Sequence, residues 1–224
     1  MTQQGRRSFV QIDELPEAAV ILEDRFIFTD EAAVRGQVRD LEANSAGYKQ
    51  VLSQLRSMNL QVASFADTPP SGWTTLTKDI YGNDVRSLTL ALSLGTSADG
   101  GADVGLFGVV VQGLDDNGQP MRQERFEIVE VPTNGELEQA QVRMAVENGS
   151  VADLAAGNIF TRFITCIRRS CASVCLGSLT ACAGVFPVYL KCVAVACGGC
   201  ALKCGACAAC DCGFWCKWAV GCCN

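Results

Sequence analysis

The sequence contains no histidine. That absence removes Ser-His-Asp and Cys-His catalysis and every zinc site that depends on imidazole. A glycine-rich phosphate loop and a G-x-S-x-G nucleophile elbow are missing as well. The expectation is a protein that is not an enzyme. No stretch reaches the ~18 continuous apolar residues of a membrane helix; the longest candidate, 171–190, contains Pro187. Cysteine is absent from residues 1–165, although the chain carries 14 of them. Acid is almost absent from the other end, where residues 160–224 hold Asp211 alone.

What is present follows the same division. Residues 1–159 carry 12 Lys and Arg against 23 Asp and Glu, a net charge of −11. Residues 160–224 carry Arg162, Arg168, Arg169, Lys191, Lys203 and Lys217, a net of +5. Such asymmetry marks parts with separate jobs. Nucleic acid is not an expected partner, because the front is acidic and the basic residues of the back are dispersed among Cys, Ala and Gly.

Four regions follow. Residues 1–16 read as an N-terminal tail. Within it, Arg6-Arg7-Ser8-Phe9-Val10 looks like the core of a twin-arginine export signal. Such a signal needs an apolar run of about 7–15 residues next, and Gln11, Asp13, Glu14, Glu17 and Glu23 interrupt that run. Residues 17–147 read as an acidic, cysteine-free α+β domain. Residues 148–159, small and weakly polar, read as a linker and a possible cleavage region; Asn148-Gly149-Ser150 also matches a glycosylation acceptor. Residues 160–224 form the cationic, cysteine-rich region.

The front domain has readable periodicities. Residues 17–28 fit a strand. Val34, Val38 and Leu41 recur at helical spacing, Gly47 is expected to break or kink the helix, and Tyr48, Val51, Leu52 and Leu55 resume the stripe to Met58. Strands are expected at 60–66, 73–81, 84–95, 104–113 and 121–131. In 84–95, Leu88, Leu90, Leu92 and Leu94 alternate with Thr89, Ala91 and Ser93, which predicts one buried and one wet face. Asp116-Asn117-Gly118 predicts a hairpin turn, which also explains Asp115 and Asp116 better than cation binding does. Thr133 and Glu136 match a capping box and predict a helix over 134–147. The expected architecture is a helix, an antiparallel meander of three to five strands, and a second helix, followed by a small, mainly helical, disulfide-rich module.

The cysteines are Cys166, Cys171, Cys175, Cys182, Cys192, Cys197, Cys200, Cys204, Cys207, Cys210, Cys212, Cys216, Cys222 and Cys223. Their number is even, and a segment of this size cannot rely on core burial alone. Disulfides contributing about 2–4 kcal/mol each would compensate, with a pairing that spacing leaves open. Cys197, Cys200, Cys204 and Cys207 fall on one stripe if they share a helix. A metal reading starts from Cys204-x2-Cys207-x2-Cys210, which opens like a ferredoxin run but lacks its fourth cysteine. The doublets at 197/200 and 204/207 are too close for a zinc ribbon. Intermolecular crosslinking in a coat or fibre is the third possibility. No cofactor or metal is expected, and nothing singles out one CxxC pair for thiol redox catalysis.

Phe214-Trp215-Cys216-Lys217-Trp218 sets two indoles beside a lysine, a mix favoured at membrane interfaces. Trp215, Lys217 and Trp218 with Arg168 and Arg169 are the candidate membrane contacts, though the tryptophans could equally plug a small core. An acidic cysteine-free front, a small-residue junction, then CIRRSCASVCLGSLTAC through GFWCKWAVGCC: in this layout the chain resembles the halocin-like bacteriocin precursors. The resemblance implies an N-terminal proregion with immunity activity and a C-terminal, secreted antimicrobial peptide. Its partners would be the chain's own N-terminal region and the envelope or membrane of a competitor cell. An uncleaved, disulfide-crosslinked structural protein of an envelope or extracellular filament is the alternative.

Overall fold

The computed structural model describes residues 25–28, 31–58, 70–78, 83–97, 100–115, 117–133, 139–154, 158–171 and 186–208. The 1–16 tail with its export motif, the expected strand at 60–66, and residues 134–136 of the capping box lie outside them.

An antiparallel sheet forms the middle of the fold. Its strands are β1 (Arg25–Phe28), β2 (Ser71–Lys78), β3 (Asp84–Thr96), β4 (Ala102–Leu114), β5 (Pro120–Pro132), β6 (Gln141–Glu147) and β7 (Ser150–Ala152). They neighbour one another strictly in chain order, so the sheet is a seven-stranded meander. The run over 104–113 does occupy the central strand. The expected hairpin after it closes around Asp115, whose carboxylate accepts from the backbone N–H groups of Asn117 and Gln119 at 2.9 and 2.8 Å. Gly118 there has φ +72°, a conformation a side chain would strain.

Helices α1 (Glu31–Asn44) and α2 (Ala46–Ser57) cover one face. Val34, Val38, Leu41, Tyr48, Val51 and Leu55 pack there against Leu88, Leu90, Leu92, Leu94, Leu106, Phe126 and Ile128. The helical stripe breaks at Ser45, two residues before Gly47. Ser45 caps α2 by accepting from the Tyr48 N–H at 2.9 Å and donates its hydroxyl to Glu124 of β5. Gly47 serves a different need. A Cβ there would sit 3.1 Å from the Glu124 carboxylate and 3.2 Å from the Phe126 ring, so the bare backbone lets α2 approach β5 closely.

The sheet has seven strands where three to five were expected, and three local expectations change as well. Of the helix expected over 134–147, residues Gln141–Glu147 form β6 instead, which pairs with β5 from Arg125↔Glu147 to Glu130↔Gln141. Alternation of Val142, Met144 and Val146 carries that strand, with a bulge opposite Ile128 and Val129 that turns Val142 to the opposite face from Met144. The expected linker holds structure too. Asn148 and Gly149 have φ +47° and +83° and form the two-residue turn of the β6–β7 hairpin. The Asn148 side chain also accepts from the Glu124 N–H at 2.9 Å. The third change concerns β3, whose Thr89 and Ala91 were expected to face water. They are 1% and 0% exposed, because helices from the C-terminal region lie over them.

Phe126 fixes one contact in this sheet. Its ring stands edge-on to Tyr48 at 5.7 Å and lies over Gly108 of the neighbouring strand. A Cβ at Gly108 would fall 2.6 Å from that ring. Gly108→Ala is expected to lower unfolding free energy by about 1–3 kcal/mol, read as a shifted urea midpoint. An unchanged midpoint would mean that the ring is free to move aside.

Candidate functional site

The cysteine-rich helices form the sheet's second cover. Helix α3 (Ile159–Ser170) buries Ile159, Phe160, Phe163, Ile164 and Ile167 on one face. Arg168 and Arg169 lie exposed in its last turn, where cations complement the carbonyl end of the helix. Helix α4 (Phe186–Cys197) and helix α5 (Gly199–Ala208) follow, separated by Gly198 at φ +52°. This turn breaks the predicted cysteine stripe: Cys197 ends α4, while Cys200, Cys204 and Cys207 belong to α5.

The layer is stapled to itself. Cys166 of α3 bonds to Cys204 (Cα–Cα 5.5 Å), and Cys171, the cap of α3, bonds to Cys200 (Cα–Cα 5.7 Å). The second bridge nests inside the first, as two antiparallel helices require. Loop closure over 38 residues corresponds to about 4 kcal/mol for the outer bridge, and less for the inner one once the outer is formed. The two bridges touch, with Cys171 Sγ 3.8 Å from Cys204 Sγ. Cys192, Cys197 and Cys207 are disulfide-bonded too. Cys175, Cys182, Cys210, Cys212, Cys216, Cys222 and Cys223 lie outside the described residues, as do Trp215, Lys217 and Trp218.

Toward the sheet the layer presents apolar surface. Phe163 packs against Phe107 and Trp73 with centroids 5.4 and 6.1 Å apart, and Phe160 stands edge-on to Phe107 at 5.6 Å. Val109, Val111, Val129 and Val131 add to the sheet's contribution, while Leu190, Val193, Ala194, Ala201 and Leu202 add to that of α4 and α5. Gly205 allows the closest approach. A Cβ on it would meet Thr89 Oγ1 at 2.6 Å and the Trp73 ring at 2.8 Å.

A buried acid lies in this contact. Glu127 of β5 is fully buried, and its two carboxylate oxygens accept the N–H groups of Ile159 and Phe160 at 2.7 and 2.9 Å. The strand therefore supplies the cap for the N-terminus of α3, since Asn158 at the cap position makes no side-chain bond of its own. Buried Arg125 pairs with Glu127 at 3.3 Å and with Glu147 at 3.2 Å. Burial pushes the Glu127 carboxyl above its ordinary pKa, against the lowering pull of the Phe160 and Ile159 amides and of Arg125. Sequence reasoning missed this residue. Its signal was an acid between Phe126 and Ile128 on the same strand face as Val129 and Val131.

Disulfides at the described cysteines fit an oxidising environment. No described helix is long and apolar enough to cross a membrane. Set beside protein-family models, curated proteins and solved structures, the chain matches none of them.

Removing the Glu127 carboxylate would strand two buried amides and part of a buried guanidinium. Glu127→Ala is expected to lose about 3 kcal/mol of stability in urea denaturation. A pH series adds a signed test. The folded carboxyl holds its proton to higher pH than the unfolded one. Its contribution is complete below the unfolded pKa and is lost as pH rises through the folded value. Glu127→Gln should flatten that stretch of the stability profile; parallel profiles for the two proteins would refute the assignment.

Proposed function

We propose that the chain is the precursor of a disulfide-stapled antimicrobial peptide, whose front region sheathes the peptide and protects the producer. The observation that carries this reading is where the crosslinks stop. All 14 cysteines lie after residue 165, and the described bridges join α3 to α5, never the helices to the sheet. A single cut near residues 153–158 would leave a covalently closed helical layer held to the sheet only by non-covalent contact.

The surface so covered suits the proposed role. A peptide acting at an envelope needs an apolar face with cationic residues beside it. Here the apolar face of α3–α5 lies against Trp73, Phe107 and the valines of β4 and β5, whereas Arg168, Arg169 and Lys191 are exposed. Basic residues near an anionic surface contribute about 1 kcal/mol each. The −11 front and the +5 back favour re-association of the cut halves, and the buried apolar contact supplies its strength. Export as the intact precursor, with cleavage outside the cell, accords with the disulfides.

The shared core also favours a second reading, in which the protein stays whole and serves an envelope or filament as a crosslinked component. Mass spectrometry of native material separates the two: a fragment of the C-terminal third belongs to the first, intact disulfide-linked multimers to the second.

The direct test inserts a protease site at 155–157 of the full chain. Cut protein should stay associated in neutral buffer under oxidising conditions. Detergent should release the C-terminal fragment, which should stop the growth of sensitive cells until the front fragment is added back. Gly205→Leu, which forces a side chain into Trp73, should allow release at lower detergent. A released fragment without inhibitory activity, or inhibition indifferent to the front fragment, would overturn the proposal.

A further inference from the structure

The two touching bridges place four cysteine sulfurs together at one point between α3 and α5. Cys171, Cys200 and Cys204 have their Sγ atoms within 4.8 Å of one another. Cys166 is joined to the same group by its bond to Cys204. Cys171 and Cys204 are buried, and Cys166 and Cys200 half-buried. The backbone positions are fixed by the fold and not by the bridges alone, because Ile164, Ile167, Ala201 and Leu202 beside them are anchored in the sheet-facing core.

We infer that the reduced chain holds one zinc ion at these four cysteines, before the bridges form. In a tetrahedral site with Zn–S distances of about 2.3 Å, the sulfurs stand about 3.8 Å apart. The unbonded pair Cys171–Cys204 is already at 3.8 Å. The bonded pairs need only open by rotation of side chains whose Cα atoms are 5.5 and 5.7 Å apart. Four thiolates around Zn²⁺ carry a charge of −2. Arg168, Arg169 and Lys203 on the same two helices provide the opposite sign. The ligand set, Cys-x4-Cys on one helix and Cys-x3-Cys on another, differs from the close doublets at 197/200 and 204/207, which are too near for a zinc ribbon.

The chemistry balances. Four thiols bind Zn²⁺ and release four protons. Two molecules of a small disulfide oxidant then take four electrons from the four thiolates. With four protons they leave as four thiols, while Zn²⁺ departs and the 166–204 and 171–200 bridges form. Zinc would thus set the order of pairing in a chain that offers many alternatives. This inference does not depend on cleavage or on toxicity.

The test uses the full chain, reduced with a phosphine under argon and given Zn²⁺ alone. After alkylation, mass spectrometry should find Cys166, Cys171, Cys200 and Cys204 protected and the remaining cysteines labelled. Co²⁺ in place of Zn²⁺ should give the visible bands of a tetrahedral tetrathiolate at one equivalent. Cys166→Ser/Cys204→Ser should lose that equivalent, and Cys192→Ser/Cys207→Ser should keep it. A different protected set, no protection, or equal loss in both variants would overturn the inference. Wild-type labelling needs no substitution, so a misfolded variant cannot mask the outcome.

Discussion

A seven-stranded sheet with two apolar faces has to be covered twice, and the structure depends on how the second cover is made. The first is ordinary: α1 and α2 are 14 and 12 residues long and lie on the leucine face. The second is built from helices of 12, 12 and 10 residues that carry Cys166, Cys192, Cys197, Cys200, Cys204 and Cys207. Helices that short are marginal alone, and Gly199 and Gly205 weaken the last of them further. They hold because each supplies what the other lacks. The sheet buries their apolar face and Glu127 caps the first of them; the disulfides fix their mutual distances. Neither layer would persist in this form without the other, unless the bridges were already closed.

The burial pattern explains why the sheet contact is so close. Thr89, Ala91 and Gly205 are small, so helix backbone comes down onto strand, and the large rings of Trp73, Phe107 and Phe163 fill the space beside them. Close approach of this kind tolerates little change at the contact. It also leaves almost no room for charge. Among the described residues of this interface, the buried Arg125–Glu127 pair stands apart from neighbours that are apolar or, like Thr89, polar without charge. The large charge difference between front and back can steer the parts together, but at physiological salt it is screened beyond roughly 8 Å. The apolar layer determines how tightly they stay.

Much of this was legible in the sequence, and the misses share a cause. Leu88–Leu94, the apolar run of β4 and the Val34–Leu41 stripe gave their elements directly, because period and length agreed. The alternation in β3 was read correctly as a strand, yet its second face was assigned to water. Thr and Ser are ambiguous there: they fit a wet face and equally a face on which a helix backbone presses. Local signals misled at 141–147, where a capping-box pattern upstream competed with the alternation of Val142, Met144 and Val146, and pairing with β5 prevailed. Asn148-Gly149 carried a hairpin signal that the small residues around it obscured. The spacing of Cys197, Cys200, Cys204 and Cys207 fits one helix, yet Gly198 at φ +52° makes a turn between two.

Glu127 was invisible for a different reason. A lone acid in an apolar strand has no local pattern; its partner lies 32 residues on, at the first turn of α3. That partner is also where the junction ends. A cut just before Ile159 would convert its amide nitrogen, 2.7 Å from the carboxylate, into an ammonium. The hydrogen bond of a cap would become an ion pair, which is the stronger interaction when solvent is excluded. A cut farther upstream would leave the cap as it is. In neither case does severing the backbone remove the contact that orients α3 on the sheet. Cleavage alone would therefore separate the halves covalently without separating them in space, and release would require a competing apolar surface such as a membrane.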